Sequence, residues 1–125
     1  MLSLSPTIRI FLCLQVVDLR KSFDGLGALV RQALHADPLS GSWFVFRNRA
    51  GDRLKILAWE EDGWAIWYKR LEAGVFRFPT ASDATTASCE IRASELAMLL
   101  DGVVLEKVQR RKRYRRPATA KGPTS

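Results

Sequence analysis

Histidine and cysteine are nearly missing from this chain of 125 residues, which has one of the first and two of the second. With His35 as the single imidazole, a histidine-based metal site or a Ser-His or Cys-His pair has almost nothing to draw on. No G-x-S-x-G, H-E-x-x-H or G-x-x-x-x-G-K-[ST] pattern occurs either. Cys13 and Cys89 stand outside any C-x-x-C spacing and are too few for a disulfide framework, which points to a reducing cytoplasm. Long apolar runs are lacking as well: residues 8–17 are interrupted by Arg9 and Gln15, well short of the roughly twenty apolar residues of a spanning helix. The charged residues Asp18, Arg20 and Lys21 follow where a secretory signal would place a small-residue cleavage site. These absences argue against an enzyme, a metal or cofactor site and a membrane protein, and leave a cytoplasmic protein.

Acidic residues stop at Glu106, and what replaces them is the most informative feature. Lys107, Arg110, Arg111, Lys112, Arg113, Arg115, Arg116 and Lys121 follow with no carboxylate among them, so the formal net charge of +7 belongs to the tail while the rest of the chain is close to neutral. A near-neutral domain with a cationic extension calls for a polyanionic partner, of which nucleic acid is the commonest. With about six phosphate contacts, such a tail loses on the order of a thousandfold in affinity between about 50 and 200 mM salt.

The rest of the chain alternates period-two and helical patterns. Ile8, Ile10, Leu12 and Leu14 alternate along a first strand whose other face is also mostly apolar. Leu26, Leu29, Val30, Ala33 and Leu34 form one helical stripe, with Ser22 placed to cap it, Asp24 in its first turn and an end near Asp37, before Pro38. Gly25 and Gly27 are poor helix formers there and suggest a tightly packed helix start. Residues 43–48, 53–60 and 64–71 read as a meander with turns at Gly51-Asp52 and Asp62-Gly63, and residues 75–78 as a short fourth strand stopped by Pro79. Residues 80–88, small and polar, read as a surface loop; a second helix begins near Ala93 and ends at Gly102. The sum is an α+β domain over residues 1–106: a small antiparallel sheet, made of a meander of three to four strands plus an N-terminal strand, packed with two short helices. A basic, disordered tail over residues 107–125 follows.

Within the meander, Arg47, Arg49, Arg53, Lys55, Lys69, Arg70 and Arg77 are interleaved with Trp59, Trp64, Trp67, Tyr68 and Phe76, the mixture that grips phosphates and stacks on bases. If Arg47 pairs with Lys55, then Phe44, Phe46, Leu54, Ile56 and Ala58 form the core face, and Trp43, Val45, Arg47, Lys55, Leu57 and Trp59 are free to face a ligand. A register one residue away reverses the assignment. The alternative is that the tryptophans are core and the Lys and Arg stems lie over the sheet. The candidate DNA contacts are Arg47, Arg49, Arg53, Lys55, Lys69 and Arg70 in the domain, with Lys107, Arg110, Arg111, Lys112, Arg113, Arg115 and Arg116 in the tail.

Several blocks, in order, resemble a known family. They are Arg20-Lys21-Ser22-Phe23-Asp24-Gly25-Leu26, Phe44-Val45-Phe46-Arg47-Asn48-Arg49, Asp52-Arg53-Leu54-Lys55-Ile56-Leu57-Ala58-Trp59 and Trp67-Tyr68-Lys69-Arg70-Leu71-Glu72-Ala73-Gly74-Val75-Phe76, then Pro79. Together they resemble the TnpB accessory protein of insertion-sequence-sixty-six type elements, a small protein encoded beside the transposase. The likeness spans about residues 5 to 105, with Ala73 where the family usually has Arg or Lys. The resemblance implies a role in DNA transposition without the strand-transfer chemistry, with the transposase and element DNA as partners, and it carries no catalytic residues. Arg20, Lys21, Asp24, Gly25, Trp59 and Tyr68 belong to the family motifs without a defined role. Two mechanisms follow: a DNA-binding module, or a protein adaptor of the transposase complex without sequence-specific DNA contact.

Overall fold

Strands β1 (Ile10–Cys13) and β2 (Trp43–Arg47) run parallel, which obliges the chain between them to cross over the sheet, and α1 (Phe23–Gln32) makes that crossover. β3 (Arg53–Glu60) and β4 (Gly63–Arg70) continue as hairpins from β2, and β5 (Ser88–Ile91) returns antiparallel to β1 before α2 (Ala93–Leu100). The computed structural model describes residues 7–81 and 86–102. Among them the strands form a five-stranded sheet in the order β4-β3-β2-β1-β5, antiparallel at every pairing but β1–β2. The α+β architecture expected from the sequence is present.

The register of the first hairpin is one residue away from the pairing of Arg47 with Lys55. Phe46 stands opposite Lys55 and Arg47 opposite Leu54. The cause is Asn48: its Oδ1 accepts the Arg53 N–H at 3.0 Å, its Nδ2 donates to Asp52 Oδ1 at 2.8 Å, and its carbonyl accepts the Gly51 N–H at 3.1 Å. Asn48 and Arg53 thereby close the turn, with Gly51 at φ +79° supplying the left-handed residue it needs.

The shift regroups the side chains, and neither face of the central strands is left to solvent. Trp43 and Val45 join Leu54, Ile56 and Ala58, with Ile10, Leu12, Phe76, Leu96 and Leu99, in a core on the α2 side. Phe44, Phe46 and Leu57 join Cys13, Val17, Leu26 and Val30 in a second core under α1. Burial on both faces explains why β2 reads as a continuous apolar run and not as an alternation. Cys13 lies in the α1-side core and Cys89 packs against the other, so the two thiols sit on neighbouring strands with opposite faces. Burial pushes the Cys13 thiol above its ordinary pKa.

Four local expectations are corrected. Residues 75–78 form no strand: the Phe76 N–H bonds to the Gly51 carbonyl at 2.8 Å, and the segment lies across the α2-side core through Phe76 and Phe78. β5 arises at the end of the stretch read as loop; its edge position and single buried residue, Ile91, left little pattern to see. α1 stops at Gln32, because the chain reverses through His35 at φ +52° and brings Leu34 and Ala36 back onto the α1-side core. Ser22 occupies the N-cap position, but its side chain makes no capping bond. α2 follows its pattern: Glu95, fully buried, accepts the Arg92 backbone N–H at 2.8 Å, and Gly102 at φ +88° ends the helix.

Candidate nucleic-acid interface

Because β1 and β2 are parallel, both end at the same edge of the domain, and the loops that leave them lie side by side. The Val17 N–H donates to the Arg47 carbonyl at 2.9 Å and ties the β1–α1 loop to the end of β2. Between that loop and the Asn48–Arg53 turn opens a cleft of about 820 Å³, lined among others by Asp18, Arg20, Asn48, Arg49, Asp52, Arg53 and Tyr68. The fold thus brings three separated blocks of sequence to one place.

The face of β3 and β4 beside this cleft carries two cross-strand pairs, Arg53 opposite Arg70 and Lys55 opposite Tyr68. α1 packs farther along the same face, on Leu57, Trp64 and Ile66, and leaves these pairs at the open end. Like charges placed directly opposite each other oppose sheet formation. Arg70 is relieved by an ion pair with Glu72 at 3.1 Å, whereas Arg53 donates to the neutral Tyr68 hydroxyl at 3.1 Å. Arg49, exposed on the turn, makes no ion pair among the described residues. Arg20 is bound to Asp18 through its Nε and Nη2, at 3.0 and 2.6 Å, and holds that carboxyl down at a pKa of about 2.

The remaining candidates are used differently. Lys55 is 8% exposed; its Nζ donates to the Lys21 carbonyl at 2.9 Å and lies 4.8 Å from the centre of the Tyr68 ring. Arg47 stands on the α2 side, where its Nη2 donates to the Leu14 carbonyl at 3.2 Å and its guanidinium stacks over Phe78 at 4.6 Å. Burial lowers its pKa, and its Nη1 is buried with no hydrogen-bond partner among the described residues. Lys69 is exposed and paired with Leu54, so it points to the face opposite Arg53, Tyr68 and Arg70. Asp24 is exposed in the first turn of α1, and a Cβ on Gly25 would lie 3.2 Å from the Lys21 Cβ. Trp59 is half-buried, edge to face with Trp64 at 5.2 Å near the β3–β4 turn, remote in register from the cleft. Lys107, Arg110, Arg111, Lys112, Arg113, Arg115 and Arg116 lie outside the described residues.

Asp18, which the sequence offers as a conceivable metal ligand but more simply as a turn residue, and Asn48 and Asp52, which it places in a turn and in the family blocks, are not among the candidate site residues, because carboxylates and amides beside turns are commonplace; the usable signal was the bracketing of Gly51 by Asn48 and Asp52. Among the described residues no three His, Cys, Asp or Glu side chains gather where a metal could be held, and no helix is long and apolar enough to cross a membrane.

Comparison with known proteins places these blocks. Residues 8–110 match the family described as IS66 Orf2 like protein. The chain is 38% identical over 111 residues to the uncharacterized protein y4jC of Sinorhizobium fredii, spanning 89% of this chain and 92% of that one. It is 33% identical over 103 residues to y4hO of the same organism, also described as uncharacterized, spanning 82% and 87%. No solved structure matches at a significant level. The chain therefore belongs to the IS66 Orf2-like family and has the transposition-associated accessory role that membership implies.

Proposed function

We propose that this protein is a non-catalytic accessory factor that contacts DNA at the cationic end of its sheet, with the basic tail adding affinity that is independent of sequence. The observation that carries the reading is the pairing of Arg53, which has no ion-pair partner among the described residues, with Arg70 beside a cleft that also holds Arg49 and Arg20. A phosphate placed there supplies to Arg49 and Arg53 the counter-charge that, among the described residues, Arg70 receives from Glu72 and Arg20 from Asp18. The tail of residues 107–116 supports it through charge alone.

The test is binding of the full chain to duplex DNA bearing the terminal repeat of the element, against a scrambled duplex, at two salt concentrations. Replacing Arg49 and Arg53 with Gln should weaken binding and flatten the salt dependence by about two charges. A second reading, an adaptor of the transposase, draws on Val16 and Phe23, which stand exposed on either side of the entrance to α1. That reading takes over if the double substitution leaves DNA affinity unchanged while Phe23→Ser abolishes co-purification with the transposase.

A further inference from the structure

We infer that the cleft accepts an unpaired nucleotide of a DNA strand, its base stacked on Tyr68 and its phosphate at Arg49. This rests on the DNA-contact reading and adds to it the form of DNA recognised.

Three observations converge on the inference. Tyr68 lines the cleft at 48% exposure, yet its ring is held at two points: the hydroxyl accepts from Arg53 Nη1 at 3.1 Å, and Lys55 Nζ stands 4.8 Å from the ring centre. Lys55 is itself fixed on the Lys21 carbonyl at 2.9 Å. An aromatic ring backed on one side and open on the other is a stacking platform whose orientation is settled before the base arrives.

Shape supplies the second. Reading a duplex through its major groove takes a projecting helix or ribbon. Here the surface is concave, walled by the β1–α1 loop and the β2–β3 turn, and its volume of about 820 Å³ falls in the range of about 300–1,000 Å³ typical of small-ligand pockets. A concave site takes a group that protrudes, and a nucleotide protrudes from DNA when it is unstacked.

Charge supplies the third. Of the two carboxylates of the cleft, Asp18 is paired with Arg20 and Asp52 is hydrogen-bonded to the Asn48 amide but keeps its charge, so that with Arg20, Arg49 and Arg53 the lining carries one net positive charge, and Arg49 has no ion-pair partner among the described residues. An anion beside Tyr68 meets Arg53, which is bonded to its hydroxyl, in a cleft that Arg49 also lines. The cationic residues 107–116 extend the preference from a free nucleotide to a strand, whose further phosphates they can neutralise.

The experiment uses the full chain and three labelled probes of about twelve nucleotides: a mixed-sequence single strand, its duplex, and an abasic strand with the same phosphates. The base-bearing strand should bind about tenfold more tightly than the abasic strand. Tyr68→Leu should erase that difference and leave the abasic strand and the duplex unchanged, while Tyr68→Trp retains it. Arg49→Gln should weaken all three probes and reduce the salt slope by about one. A free mononucleotide should compete only at far higher concentration. Equal affinity for base-bearing and abasic strands, a uniform loss with Tyr68→Leu, or competition by the mononucleotide at strand concentrations overturns the inference and leaves DNA contact standing. If Arg49→Gln and Arg53→Gln change none of the affinities, the DNA reading of the domain falls and the inference falls with it.

Discussion

Lys55 and Tyr68 face each other across β3 and β4, and the ammonium that lies 4.8 Å from the Tyr68 ring is the same one that holds the Lys21 carbonyl at 2.9 Å. One side chain therefore joins the β3–β4 hairpin to the entrance of α1. The Arg20-Lys21 segment enters this junction through its backbone, which gives the conspicuous basic pair a role independent of any ligand. Lys55 supplies a charge-assisted bond in a nearly dry position, and its role in shaping the cleft is to hold a wall of it.

Lys55→Met should lower folding stability by about 1.5–3 kcal/mol, the usual value of a hydrogen bond to a charged group. Lys69→Ala, on the exposed opposite face, should change it by less than about 0.5 kcal/mol. Urea denaturation of the two variants compares them directly, and equal losses would show that Lys55 fastens nothing.

Arg47 carries a buried guanidinium nitrogen without a hydrogen-bond partner among the described residues, so its charge is costly where it stands. Arg47→Met keeps the apolar stem against Phe78 and removes that cost, at the loss of the bond to Leu14. The two effects oppose each other. Stability should stay within about 1 kcal/mol of the parent, and DNA affinity should be unchanged. A large drop in affinity would place Arg47 among the DNA contacts.

The Asp18 carboxyl should titrate near its depressed pKa of about 2, measured by carboxyl carbon NMR, and Arg20→Gln should raise it toward the ordinary aspartate value, with the Arg20 backbone N–H still holding it somewhat down. The sign follows from the depression. The Asp18–Arg20 contribution is fully present above the ordinary aspartate pKa and disappears as pH falls through about 2. Stability between pH 5 and 8 should therefore not depend on this pair's titration, and a midpoint that ignores Arg20→Gln would mean another group holds the carboxylate.

Two glycine-to-alanine substitutions should act in opposite directions. At Gly27, inside α1, a Cβ meets Trp64 at 3.4 Å, an ordinary contact, so Gly27→Ala should stabilise by up to about 1 kcal/mol through helix propensity. Gly27→Val should displace the indole and cost about 1–3 kcal/mol. At Gly51, with φ +79°, a Cβ would come to 3.2 Å from the Val75 Cβ, and Gly51→Ala should destabilise by about 1 kcal/mol or more. Thermal melts followed by tryptophan fluorescence separate the three.

Helix α1, the three strands of the meander and the end of α2 at Gly102 were legible because each leaves a periodic or turn signal within a few neighbouring residues. β5 was not, since an edge strand with one buried residue has almost no pattern. The tightly packed helix start expected from Gly25 and Gly27 is seen where Gly27 meets Trp64. The pairing of Arg47 with Lys55 failed over a single residue, because the side chain of Asn48 joins the turn in a way that the bare spacing of Gly51-Asp52 does not reveal.

Local chemistry alone therefore settled the presence of both helices and of the meander strands, the family blocks and the concentration of positive charge after Glu106. The grouping of Arg20, Arg49, Arg53 and Tyr68 around one cleft came only with the tertiary structure. It depends on β1 lying parallel to β2, a contact between residues some thirty apart in sequence that brings the ends of the two strands to the same edge. The burial of Lys55 and the partial burial of Arg47, side chains whose composition reads as exposed, came the same way, since Lys21 at the entrance to α1 and Tyr68 close over the first, and Leu14 and Phe78 over the second. Periodicity reports which residues share a face, and only the packing of distant segments decides whether that face meets water, another layer or a ligand.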